Sequence, residues 1–135
     1  MTRLTSMTPK DTLPDGTRPL AGIRILSLES FGAGPYGTML LADLGAEVIK
    51  IENPATGGDA SRGVGPHFLG EGDSLYAQSF NMNKRSMALD LSRPEDHDDF
   101  LALVATADAV VNNLRGDLPK KEPQRSEMAA AGEMY

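Results

Sequence analysis

Residues 22–28, GIRILSL, set Ile23, Ile25 and the run Leu26 to Leu28 in a short apolar stretch with almost no polar face. That pattern predicts a strand buried on both faces of a sheet. Gly32 and Gly34 then predict a turn, and Pro35 sits where the first position of a helix tolerates a missing N–H. In PYGTMLLADLG (35–45), Tyr36, Met39, Leu40 and Leu44 recur at three- and four-residue spacing and predict one apolar helical face. Gly45 fits the position just past a helix end. EVIKIE (47–52) mixes Val48, Ile49 and Ile51 with Lys50 and predicts a second strand. Strand, turn, helix and strand within about 30 residues make a βαβ unit, with parallel strands and a right-handed crossover.

Residues 53–75 are glycine-rich, carry little periodicity and predict a long functional loop. A helical turn is expected within YAQSFNMNKRS, followed by a strand over SMALDL (86–91). SRPE (92–95) has the form of a capping box, in which Ser92 and Glu95 satisfy each other's N–H groups. Pro94 falls in the first turn, and Asp96, Asp98 and Asp99 lie near the positive end of the helix dipole. Phe100, Leu101, Leu103 and Val104 make the inner face, and DAVVNNL (108–114) closes as a strand. The order predicts an α/β fold built on an open, mostly parallel, Rossmann-like sheet with flanking helices. Ligands of such sheets bind outside the carboxyl ends of the strands, where the turns 29–34 and 112–116 fall.

The chain has 135 residues, enough for one domain with a real core. Its net charge of −6 argues against a nucleic-acid partner, which would need a basic surface. With no cysteine, disulfides, thiolate nucleophiles and cysteine-ligated metals are excluded. His67 and His97 are far apart and predict no metal site. No stretch is apolar enough to span a bilayer, and the first residues lack the apolar core of a secretory signal. A cytoplasmic, membrane-free protein with a flexible leader over 1–18 is the expectation.

Gly32, Gly34 and Gly37 spell G-x-G-x-x-G, and Glu52 lies about 20 residues on, the spacing of a dinucleotide site. Pro35 removes an N–H where a pyrophosphate would want donors, and the glycines serve equally well as a plain strand-to-helix turn. The acids and His97 of EDHDD read as helix-start charges more readily than as metal ligands. Lys84 and Arg85 suit either a phosphate or solvent. Asn112, Asn113 and Arg115 follow a strand, where polar residues favour ligand contact.

Four blocks in order, PLAGIRILSLESFGAGPYGTMLLADLGAEVIKIENP, GDASRGVGP, FNMNKRSMALDL and ADAVVNNLRG, resemble the family III CoA-transferases. That family holds formyl-CoA, carnitine and bile-acid CoA-transferases and the 2-methylacyl-CoA racemases. The resemblance covers residues 19–121 and implies the amino-terminal CoA-binding part of that fold, incomplete relative to the whole. It implies coenzyme A as acyl carrier, no metal, and acyl-CoA and carboxylic acid as substrates. The turn at Phe31, Gly32 and Ala33 would run beside the CoA. Asn53 stands where some members have an arginine near the CoA phosphates. Leu89, Asp90, Leu91 and Ser92 would line the adenine end, and Asn113, Leu114 and Arg115 form another contact turn. Lys121 stands in place of a frequent arginine, keeping the charge but losing the planar fork.

The family nucleophile is an aspartate that forms anhydride and thioester intermediates. It falls beyond the NNLRG block, and Asp90, Asp108 and Asp117 match other positions. No catalytic residue is therefore assigned, and the isolated chain is expected to be inactive. The tail 122–135 departs from the family and is expected to be disordered, as if by truncation or a shifted frame. Family members form interlocked homodimers, which a chain of this length is not expected to make. The rival readings are a racemase fragment, a non-catalytic CoA-binding remnant, and an NAD domain resting on Gly32, Gly34, Gly37 and Glu52.

Overall fold

The computed structural model describes residues 18–114. Within them a four-stranded sheet runs in the order β5 (Arg85–Ala88), β2 (Glu47–Glu52), β1 (Arg24–Leu28), β6 (Ala109–Asn112), with every neighbouring pair parallel. The expected open α/β sheet is therefore present. Arg24 pairs with Glu47 and Ile25 with Ala109, so β1 is flanked by a strand on each side. All five of its residues are buried, as its continuous apolar run requires.

Side chains alternate across the sheet with period two. Leu26, Leu28, Ile49 and Ile51 face α3 (Pro94–Val104) and pack with Leu89, Phe100, Leu103 and Val110 into the larger core cluster. Ile25 and Val48 face the other way, against Ala42 of α1 (Ala33–Asp43) and Ala46 just before β2. Further along that same face stand Ser27, Glu29, Lys50 and Glu52, all buried. One half of this layer is thus apolar and the other half ionic.

Several expectations need correction. α1 begins at Ala33 with Gly32 as its flanking residue, so Pro35 is its third position, where the N–H is still an orphan. Its buried side is Pro35, Thr38, Met39 and Ala42, whereas Tyr36, Leu40 and Leu44 lie exposed. Small residues face inward because the buried Glu29 and Lys84 occupy the space beneath. Gly45 does end the helix, in the left-handed region at φ 104°.

The stretch 53–75 is not a bare loop. It holds two short 3-10 turns, Pro54–Thr56 and Ala60–Gly63, and an antiparallel pair, β3 (Phe68–Gly70) with β4 (Asp73–Ser74). α2 (Leu75–Asn81) follows, capped by the Ser74 hydroxyl accepting from the Ala77 N–H. β5 starts at Arg85 and ends at Ala88, short of the expected residue 91. β1 and β6 are also trimmed, to 24–28 and 109–112.

The Ser92–Glu95 capping box does not form. Arg93 is the residue flanking α3, without a side-chain cap, and Ser92 Oγ donates instead to Asp90 at 2.7 Å. Asp96 reaches back to accept the Asp90 N–H at 2.9 Å, so the first-turn acid fastens the incoming loop. Among the described residues no helix is long and apolar enough to cross a membrane.

Candidate functional site

Chain order reverses between β1 and β6, because β2 and β5 build outward on one side before the chain returns to the other. Such a switch point opens a crevice at the strands' carboxyl ends. The crevice here has a volume of about 680 Å³. Ser30 after β1, Asn53 after β2, Leu89 to Ser92 after β5 and Leu114 after β6 all line it. Of the residues marked by the sequence, Asn53, Leu89, Asp90, Leu91, Ser92 and Leu114 thus meet in one cleft.

Phe31, Gly32, Ala33 and Asn113 lie outside that lining. Asn113 is tied to the turn nonetheless: its Oδ1 accepts the Ser30 N–H at 2.9 Å and its Nδ2 donates to the Ser30 carbonyl at 2.9 Å. Arg115, Asp117 and Lys121 fall outside the described residues, as do most of the 1–18 leader and all of the 122–135 tail. Asn53 Oδ1 caps the following 3-10 turn through the Ala55 N–H, which explains the asparagine without a ligand. Leu89 belongs to the core cluster, and its N–H donates to the Glu52 carbonyl at 3.0 Å, so it seats the β5 end of the cleft against β2.

The turn between β1 and α1 is the most constrained part of the site. Phe31, not a glycine, holds the left-handed conformation, with φ 73°. Gly34 is required for a different reason: a Cβ there would lie 2.7 Å from Asn113 Cγ and 3.0 Å from its Cβ. Gly34→Ala is expected to push Asn113 off Ser30 and destabilise the chain by about 1–3 kcal/mol. Urea denaturation measures that loss, and Gly37→Ala, where a Cβ meets nothing within 4 Å, is the control.

Beneath the turn lies an ionic network that sequence reasoning missed. Lys50 on β2 is paired with Asp59 and donates to Asn81 Oδ1 at 3.0 Å. Lys84 donates to the same oxygen at 3.1 Å, to Glu29 at 2.8 Å and to the Pro35 carbonyl at 2.7 Å. Those contacts use all three ammonium protons, so Lys84 is neither solvated nor free for a phosphate. Arg85 points outward and pairs with Glu47 at 2.7 Å. Burial pushes the Lys84 ammonium below its ordinary value, against the pull of Glu29.

Glu52 is held by two guanidinium nitrogens of Arg62 at 2.7 Å, by the Asp59 N–H at 2.9 Å and by Ser86 Oγ at 2.9 Å. Burial alone would raise its pKa, but these donors bring it down to about 2. An aromatic row closes the outer side, Phe31 on Tyr76 at 5.4 Å and Tyr76 on Phe80 at 5.0 Å. Its only sequence signal is the four-residue spacing of Tyr76 and Phe80 on one helix face.

The family model described as CoA-transferase family III matches residues 20–126. The chain belongs to that family. A succinyl-CoA:mesaconate CoA-transferase of Haloarcula hispanica is 47% identical over 106 residues, which cover 76% of this chain and 26% of that protein. Human succinyl-CoA:glutarate CoA-transferase is 45% identical over 96 residues, covering 71% of this chain and 22% of that protein. The crystal structure of a CAIB/BAIF family protein from Brucella suis superposes with a TM-score of 0.73 at 37% identity, covering 84% of this chain and 30% of the other. This CoA-transferase family III chain therefore spans about a quarter of the length of the curated relatives it matches.

Proposed function

We propose that this chain supplies the CoA-binding part of an enzyme that moves CoA between an acyl-CoA and a carboxylic acid. The observation carrying the reading is the switch-point cleft. It gathers Asn53, Leu89 to Ser92 and Leu114, which the family resemblance marks for CoA and which are far apart in sequence. Phe31, Gly32, Ala33 and Asn113 extend the same edge, and Arg115 and Lys121 complete the proposed contacts. The names of the relatives support a dicarboxylate as the acid: mesaconate, glutarate and malate all occur among them. They support the transferase over the racemase branch in the same way. The interlocked homodimer belongs to the whole enzyme in this reading rather than to this chain by itself, and the exposed row of Tyr36, Leu40 and Leu44 is a face suited to being covered by the rest of that enzyme.

The carboxylates around the cleft hold structural posts. Glu29 is bound to Lys84, Glu52 to Arg62, Asp59 to Lys50, and Asp90 accepts from Ser92. A carboxylate already engaged by donors is a poor nucleophile, so we assign none of these four the acyl-accepting role.

The NAD reading loses its two distinguishing residues. Glu52 is only 8% exposed and committed to its own donors, leaving nothing for a ribose hydroxyl. Gly37 is exposed with open space at its Cβ, so it does not serve the close helix-to-strand packing of the third glycine in a dinucleotide motif. In calorimetric competition the chain is expected to bind CoA or succinyl-CoA in preference to NADH. Tighter NADH binding overturns the proposal.

A further inference from the structure

We propose that Asp59 is a positioning residue, whose carboxylate holds the Ser30–Phe31 turn in the shape that receives CoA. The inference rests on the CoA reading above and adds to it a residue outside the contact segments. Asp59 is 6% exposed. Its Oδ1 accepts from the Phe31 N–H at 2.9 Å, the Ser30 hydroxyl at 3.1 Å and the Ser61 N–H at 2.8 Å. Its Oδ2 is taken by Lys50.

Phe31 is where the turn needs support. A residue with a Cβ in the left-handed region is strained and keeps that conformation only when its surroundings impose it. Two groups impose it here. Asn113 holds Ser30 from the β6 side, and Asp59 holds Ser30 and Phe31 from the loop side.

Asp59 is itself fixed from below. Lys50 bonds Asn81, Asn81 receives Lys84, Lys84 bonds Glu29, and Glu29 is the residue just before Ser30. The bonds run in a closed ring from one side of the turn to the other. Asp59 also lies within the glycine-rich segment, where Gly58 lets the backbone pass: a Cβ there would sit 2.6 Å from Glu52 Oε2, at φ 84°. Asp59 therefore sets the turn's shape from the wall of the cleft itself, and its charge is already paired with Lys50 where an anionic ligand would lie.

The test compares two double variants of equal charge, Asp59→Asn with Lys50→Met and Asp59→Ala with Lys50→Met. Only the asparagine keeps an acceptor for Phe31 and Ser30. CoA affinity measured by calorimetry is expected to be about tenfold weaker in the alanine pair than in the asparagine pair, a difference of about 1.4 kcal/mol. Equal affinities overturn the proposal, because a residue that only stabilises the fold would not separate two folded variants in this way.

Amide exchange on the unaltered chain supplies a second measurement that needs no variant to fold. The Phe31 N–H is expected to be protected in the absence of CoA, and exchange at the rate of an unstructured peptide overturns the role of Asp59. A chain that binds no CoA yet protects Phe31 overturns the CoA reading and leaves the turn-holding role standing.

Discussion

Glu29→Gln and Lys84→Met are each expected to destabilise the chain by about 3–5 kcal/mol, the cost of leaving one member of a buried ion pair uncompensated. Both side chains are almost wholly removed from water, at 0% and 2% exposure, and sit 2.8 Å apart. Small domains are stable by only about 5–15 kcal/mol in total, so either change takes a large share of the margin. The two substitutions differ in what they strand. Lys84→Met leaves the Glu29 carboxylate with the Thr38 hydroxyl as its remaining donor, at 2.7 and 2.9 Å. Glu29→Gln leaves the ammonium facing the Pro35 carbonyl and Asn81.

The double variant removes both charges and is expected to regain much of the loss. Urea unfolding followed by circular dichroism reads all three. A pH series adds a check on Glu29→Gln. The Lys84 ammonium already lies below its ordinary pKa through burial, and losing Glu29 lowers it further. Below that lowered pKa both folded and unfolded chains carry the proton, and the penalty is complete. As pH rises past it, the folded chain sheds the proton first and stability climbs. A Glu29→Gln variant with unchanged urea midpoint would show that the pair carries no net weight.

The sheet is legible in the sequence because its strands and α3 obey simple periods. The stretch Ile25 to Leu28 is apolar but for the small Ser27, and Phe100, Leu103 and Val104 fall on one side of a helix whatever else surrounds them. α1 misleads for the opposite reason. Tyr36, Leu40 and Leu44 form a better apolar stripe than Pro35, Thr38 and Ala42, yet the smaller residues turn inward because Glu29 and Lys84 already fill the layer beneath.

Nothing in a single strand sequence announces that the Lys50 of EVIKIE will be buried. Its partner Asp59 comes from a glycine-rich stretch with no periodicity, and Lys84 meets Glu29 across 55 positions. The capping box loses a local competition, since Asp90 accepts the Ser92 N–H that Glu95 would have taken and draws the Ser92 hydroxyl to itself. The cleft follows from strand order, and composition cannot say that β6 returns to the far side of β1. The family resemblance does mark segments that meet there, although their contact with CoA rests on the proposal tested above.

Acid is expected to unfold the chain from the network outward. Glu52 has its carboxyl held down from the usual 4.5 to about 2 despite burial that works the other way, because Arg62, the Asp59 N–H and Ser86 all favour the charged form. Asp59 is lowered too, again against its own burial, by Lys50 and by the Ser61 and Phe31 N–H groups. A carboxylate with a depressed folded pKa contributes stability that is fully present above its unfolded pKa. That contribution fades as pH falls toward the folded value.

For Glu52 the window runs from about 4.5 down to about 2, and the stability at stake is on the order of 3 kcal/mol. Asp59 adds loss in the same direction. Urea midpoints followed down from neutral pH should therefore fall steeply once pH drops below about 4.5. Arg62→Met separates this mechanism from general acid swelling. Without the paired guanidinium nitrogens at 2.7 Å, burial regains the upper hand and the Glu52 pKa rises. The acid transition is then expected at a higher pH than in the unaltered chain, with Glu52→Gln flattening the same part of the curve. An Arg62→Met variant that unfolds at the same pH as the parent would place the acid-labile contacts somewhere other than this pair.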